Sequence, residues 1–461
     1  MAWRPRWYHW TIAAITLLVL VPAIAAMAWR SAGFRRYDAV IAEQTARGVP
    51  TTIDDLIALG PASDRGRDAR ARAWLAKVNA TGLDSVAVTP DVFDAWAQGA
   101  VADWPTKLLS DVTRLEPVLA AGRPILRERP SLTCRASLSD QFAGRSPTLA
   151  EVNRVQVPSL LAARLASQGF ALDALRAVDP EPALDDLAAL CRGFRDSPTL
   201  IEALILIALE RERDDAHLRL AALGRLAPPR CEAWAREGLD LLAVVGDGLR
   251  GERLLYGPAV AAEFRREPFS PLLADSGFAT MGWSDRLLHA IWAGHDCALA
   301  AELLHGAETR LRTRHGAMPR WPTGTWARLG HGHTFFPNLV ESAVTAWDYE
   351  TAQRIRRLAA CVLIDPSALP DDHAAFVARF ADHPCWTPGP DRAALVYERL
   401  SATRFRVSLD PATPLPDFGV PNRIPLQLML GKPSRTIGTP PRLPLLDIGR
   451  MHVEAEVRSR P

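Results

Sequence analysis

The chain has 461 residues, 48% of them hydrophobic and 23% charged, enough for two or three domains with sizeable cores. Its 54 basic and 52 acidic residues leave a formal charge of +2, which excludes the broad positive field that nucleic acid or an anionic bilayer surface requires. Almost every basic residue is Arg, with Lys77, Lys107 and Lys432 the exceptions; this reads as GC-rich base composition rather than phosphate chemistry.

The stretch Trp10 to Trp29, WTIAAITLLVLVPAIAAMAW, carries no charge. As a helix rising about 1.5 Å per residue it covers roughly 30 Å, the thickness of a bilayer's hydrocarbon core. Trp3, Trp7, Tyr8 and Trp10 gather at one end and Trp29 marks the other, with Arg4, Arg6, Arg30, Arg35 and Arg36 just outside. That is the aromatic-belt and basic-flank layout of a membrane span. The flanking arginines nearly tie, so they do not orient it. A short basic start running straight into an apolar core is the layout of a signal-anchor, which predicts a single-pass protein of the cell inner membrane with the bulk of the chain extracytoplasmic. Ala26-Met27-Ala28 also fits a signal-peptide cleavage site. The apolar run exceeds the roughly 7–15 residues of a cleaved signal core, which favours the uncleaved anchor.

Beyond the anchor, Thr52-Ile53-Asp54-Asp55 predicts a capping box opening a short helix that Gly60-Pro61 closes. Ser63 to Lys77, with Trp74 and Leu75 its main core residues, predicts a surface helix packed along one edge. Asn79-Ala80-Thr81 matches a glycosylation sequon by chance, and Thr89-Pro90 supplies an N-cap and first-turn proline for a helix facing inward through Phe93 and Trp96. Residues 120–157, rich in Arg, Ser and Pro, read as a loop-dominated join.

Leu161, Leu165, Leu172 and Leu175 fall at helical spacing, Asp179-Pro180-Glu181-Pro182 breaks the chain, and Leu184, Leu187, Cys191 and Phe194 restart it: an αα-hairpin. Asp196-Ser197-Pro198 is a second break, with Ser as cap, before the nearly all-apolar Leu200 to Leu209. Cys231, Trp234, Gly238, Leu242 and Val245 describe one further helix, and Leu287, Leu288, Ile291 and Trp292 another. Successive hairpins of this kind stack like a helical solenoid, although no fixed period is present.

The run LLAARLASQGFALDALRAVDPEPALDDLAALCRGFRDSPTLIEALILIALERE, with GLRGER at Gly248 to Arg253 and RGVPTTIDDLIALGP after the anchor, resembles a loosely related group of single-anchor, helix-rich bacterial envelope proteins. The resemblance covers the anchor, the segment after it and residues 156–255. It implies an all-α body on a membrane anchor and brings no catalytic residues.

His289, His295, His305, His315, His331 and His333 cluster in sequence. His331-Gly332-His333 places two imidazoles close enough for one metal, with the third ligand from His315, His295 or Cys297. A bare HxH pair in a Gly- and Pro-rich loop specifies little, and exposed or capping histidines are the favoured reading. No HExxH, no G-x-S-x-G elbow and no complete phosphate or dinucleotide loop is present. Acid pairs such as Asp54-Asp55, Asp185-Asp186, Asp214-Asp215 and Asp371-Asp372 read as caps and solvated faces, and Glu252-Arg253 as a structural salt bridge. Cys134, Cys191, Cys231, Cys297, Cys361 and Cys385 form no CxxC, which excludes zinc-ribbon and thioredoxin readings. They read as small buried residues; were one pair bridged, Cys361–Cys385 is the closest in sequence.

Near the end, Ala394 to Arg399 and Arg404 to Leu409 alternate as a β-hairpin, and the prolines from Pro411 to Pro444 predict an extended tail without long helices or central strands. The expected organisation is an anchor segment over 1–36, a helical region over 37–150, an αα-hairpin body over 151–385, the hairpin over 386–409 and the tail over 410–461. The fold class expected is all-α, a membrane-anchored stack of hairpins. The expected function is a non-enzymatic envelope scaffold or adaptor without a cofactor, touching lipid through residues 10–29 and a protein partner through its body. The alternative is an envelope metal-dependent hydrolase using the His295–His333 cluster.

Overall fold

The computed structural model describes residues 7–60, 64–238, 240–269, 283–315, 318–319, 339–365, 369–387, 391–413, 416, 446–448 and 452–456. The described chain is mostly helical and begins with α1, Trp7–Ala46, a single helix of 40 residues that passes through Pro22. It outlasts the apolar stretch because Phe34, Tyr37, Val40, Ile41 and Gln44 continue at helical spacing along one face. It stops where Gly48 enters the left-handed region at φ +71°. There the Gly48 N–H donates to the Thr45 carbonyl and the Val49 N–H to the Gln44 carbonyl, a Schellman closure that Pro50 then seals.

The predicted capping box is present: Thr52 Oγ accepts the Asp55 N–H and Asp55 accepts the Thr52 N–H, opening α2 (Ile53–Ala58). α3 (Arg65–Asn79) buries Ala71, Trp74, Leu75 and Val78, and α4 (Pro90–Ala97) starts at Thr89 with proline in its first turn. The supposed join over 120–157 is instead about half helical, holding the end of α5 (Thr106–Arg127), α6 (Arg135–Phe142) and α7 (Leu149–Val152). Its Arg and Pro content masks the inward positions Leu115, Leu119, Gly122 and Leu126 of α5, and a second capping box, Thr148 with Glu151, opens α7.

α8 (Leu160–Arg176) and α9 (Glu181–Gly193) fall where the leucine spacing places them. α10 (Leu200–Ala222) is capped by Thr199 rather than Ser197, whose hydroxyl turns back to the Phe194 carbonyl. It also runs thirteen residues past Leu209, through a charged stretch that is buried: Glu210, Arg213, Asp214 and His217 are each at most 3% exposed. Arg213 pairs with Glu210 and Glu237, and Arg357 reaches Asp214 at 3.3 Å. Paired in this way, the charges enter a core that would otherwise refuse them. The single helix expected around Gly238 is two, α11 (Pro228–Arg236) and α12 (Leu241–Arg266), because Asp240 caps a new start. Then come α13 (Trp283–Thr313), α14 (Leu339–Ile364) and α15 (His373–Phe380).

The expected hairpin forms from β1 (Leu395–Arg399) and β2 (Arg404–Leu409), antiparallel with Tyr397 opposite Val407. The tail departs from expectation by contributing β3 (Leu446–Ile448) and β4 (His452–Glu456), which complete a four-stranded sheet in the order β1-β2-β4-β3. Strand pairing is open to this stretch because Pro444 is the last proline before it. Val453 and Ala455 face the core while Glu454 pairs with Arg404 and Arg406 of β2. The main apolar core joins α3, α5, α8–α11, α14, α15 and the sheet; a second gathers the later half of α1 with α2, α6, α7, α12 and α13.

Candidate functional site

Two places in the fold carry features that packing alone does not require. One is the junction between α1 and the body. An 18-residue window of α1 has mean hydropathy 1.7 and none of it is buried. Leu17, Leu18 and Met27 are 65%, 76% and 64% exposed, whereas Phe34 and Tyr37 on the same helix are 8% and 7%. The later half of α1 lies against α13 with backbones nearly touching. A Cβ on Gly33 would fall 2.6 Å from the His295 nitrogen, and one on Gly294 would overlap the Phe34 backbone. Trp29 meets Trp292 edge-on at 5.2 Å, Gly33 meets His295, and the Gln44 amide donates to the Ala301 carbonyl at 3.3 Å, so the two helices run in the same direction. This direction puts the first turns of α13, with Trp283 and Leu287 exposed, level with the apolar half of α1.

Below the junction α12 locks the docked helix in place. Arg253 donates to the Gln44 side chain at 3.3 Å, to the Pro50 carbonyl at 2.8 Å and to Glu308 at 2.9 Å, while Arg250 meets Glu308 at 2.5 Å. Burial pushes the Glu308 carboxyl up, but His305 and the two guanidinium groups outweigh it and hold it below the usual carboxylate range. Glu252 and Arg253 do not pair with each other. Glu252, half-buried, accepts the Leu200 N–H at 3.2 Å, and desolvation pushes its carboxyl up to about 7. Glu202, accepting from Cys134 and Thr199, is likewise raised to about 7 by burial. Both carboxyls serve helix starts.

The second place is a polar cleft of about 550 Å³ between α11, the end of α14 and α15. Cys361 and His383 line it, and Cys231 of α11, in the same buried cluster as Cys361, is near enough for the two thiols to influence each other. The Cys385 N–H donates to His383 Nδ1 at 3.2 Å, which leaves the ring proton on Nε2, 4.0 Å from Cys361 Sγ. Cys385 itself points away, its thiol donating to the Ala235 carbonyl at 3.3 Å. The Cys231 thiol and His383 hold the Cys361 thiol below the ordinary cysteine range against its burial. The same contact and burial push Cys231 up.

No family model matches the chain, and no curated protein or solved structure does.

The histidines weighed for the alternative metal site are not brought together among the described residues. His289, His295 and His305 are strung along α13, where ten residues separate positions by roughly 15 Å. His295 stacks on Trp29 and meets its carbonyl at 3.2 Å, His305 faces Glu308, and His315 is exposed past the helix end. His331 and His333 lie outside the described residues, within which no three His, Cys, Asp or Glu side chains are placed to hold a metal. All six cysteines are free and buried, and Cys361 is partnered by Cys231 rather than Cys385. Nothing in one sequence signals that pairing across three elements.

Proposed function

We propose that the protein is a membrane-anchored scaffold or adaptor of the bacterial cell envelope, held in the inner membrane by one span with the bulk of the chain extracytoplasmic. The observation that carries this reading is the division of α1 into a bare apolar half and a docked half within one unbroken helix. A span joined to its body by a flexible linker would leave the body free to tumble. A helix clamped by Gly33 against Gly294, and by Arg253 through Gln44, fixes the body's orientation to the bilayer. Fixed orientation suits a surface that must meet a partner in the same envelope. The hairpins of α8–α12 supply an extended stack for that purpose.

Alkaline phosphatase, which is active only outside the cytoplasm, reports the orientation when fused after Pro461. An active fusion is expected; an inactive one, with a cytoplasmic reporter fluorescent at the same site, overturns the placement. For the adaptor role, cross-linking in intact cells is expected to trap the full-length chain in a discrete higher-mass species that the same chain with residues 10–29 deleted fails to form. A chain that migrates only as itself contradicts the role.

A further inference from the structure

The cleft beside α11 has no part in anchoring, and its three sulfur- and nitrogen-bearing groups come from separate elements: Cys231 on α11, Cys361 near the end of α14, His383 after α15. An ordinary buried cysteine faces apolar neighbours and stays an inert thiol. Here Cys361 opens onto a polar cleft, receives an N–H from a histidine whose tautomer is fixed by the Cys385 backbone, and shares its buried side with a second thiol, Cys231, on the helix packed against it. Cys231 is fully buried, whereas Cys361 keeps 6% exposure towards the cleft. The two sulfurs are thus unequal: one is reachable from solvent, the other only from the first.

We propose that Cys361 and Cys231 form a thiol–disulfide exchange site, in which Cys361 attacks a small-molecule disulfide admitted by the cleft and Cys231 resolves the adduct. In the first step the Cys361 thiolate attacks one sulfur of a disulfide RS–SR, forming the mixed disulfide and releasing RS⁻. In the second the Cys231 thiol gives its proton to that released thiolate and attacks Cys361 Sγ, expelling the other RS⁻. The protein loses two electrons to the incoming disulfide, and the products are the Cys231–Cys361 bond, one RSH and one RS⁻. The fixed N–H of His383 stabilises the Cys361 thiolate before attack and again whenever Cys361 is the leaving group in the reverse direction. It does not act as a base, because its Nδ1 already accepts from Cys385. The remaining cysteines, Cys134, Cys191, Cys297 and Cys385, lack this arrangement, and burial raises the thiol of each.

The test uses the full-length protein in detergent micelles with 2-hydroxyethyl disulfide, an uncharged probe, at neutral pH. Samples are quenched in acid at intervals, alkylated and mapped as peptides. A mixed disulfide on Cys361 is expected to appear about tenfold or more faster than on any other cysteine, followed by a Cys231–Cys361 linked peptide. Cys231→Ser is expected to stop at the mixed disulfide, and Cys361→Ser to leave Cys231 unreacted. If either variant fails to fold, the order of appearance in the unsubstituted chain still decides. Equal reaction of all six cysteines, first reaction at Cys385, or a linkage other than Cys231–Cys361 overturns the proposal. None of these outcomes bears on the membrane anchor, so the two readings fail separately.

Discussion

Gly251 and Gly257 lie six residues apart on α12 and predict different outcomes for the same substitution. A Cβ on Gly251 would overlap the Pro198 carbonyl, where α12 crosses the start of α10 backbone to backbone, whereas one on Gly257 meets nothing within 4 Å. Gly251→Ala is expected to destabilise the body by about 2 kcal/mol or more through forced separation of the two helices. Gly257→Ala should change it by less than about 1 kcal/mol, the helix-propensity gain being offset by the new Cβ crowding the ring of Pro258, and denaturant midpoints in micelles read both. The buried acids give a pH dependence with a definite sign. Glu202 sits at about 7 in the fold, raised by burial, against roughly 4.3 in an unfolded chain. The folded state therefore keeps its proton longer, so stability present below about pH 4 falls as pH rises through 7, by roughly 4 kcal/mol. Glu237 works the other way: burial opposes it, but Arg213 and Arg195 hold it at about 2, so its window lies lower. Glu202→Gln is expected to flatten the decline between pH 5 and 7, leaving the share owed to Glu252; an unchanged slope contradicts the assignment.

At the scale of elements, sequence was informative wherever a helix is specified by its own ends. The capping box of α2, the Thr-Pro start of α4 and the leucine spacing of α8 and α9 all depend on residues within a turn or two. It failed where distant partners decide. The charged second half of α10 reads as surface because Asp214 is neutralised by Arg357, 143 positions away. β4 falls in a tail that reads as irregular, because a central strand is recognised only when β2 is beside it. The clamp between α1 and α13 belongs to this second class, since Gly33 and Gly294 are unremarkable until the helices meet. Gly294→Val is expected to raise amide exchange across residues 30–46 by about tenfold or more, while β1, β2 and β4 stay protected. Uniform loosening of the whole body instead would mean that the crossing is not a separate cooperative contact.

For the molecule as a whole, a helix long and apolar enough to cross a membrane was legible from the first residues, because twenty uncharged positions are bounded by tryptophan and arginine. The cleft with Cys231, Cys361 and His383 was not, because three elements must fold before its chemistry exists. The histidine run held attention in the sequence, yet along α13 helical rise carries its members apart. What unifies the structure is one helix whose first half is bare, apolar and long enough to cross a membrane and whose second half packs into the core, with Trp29 at the changeover. The most direct measurement is alkaline carbonate extraction of membranes carrying either the full-length chain or a chain lacking residues 1–28. The account predicts that the full-length protein stays with the lipid and that the shortened one is released as a folded body with α13 intact. Release of the full-length chain, or retention of the shortened one in the lipid fraction, would contradict it.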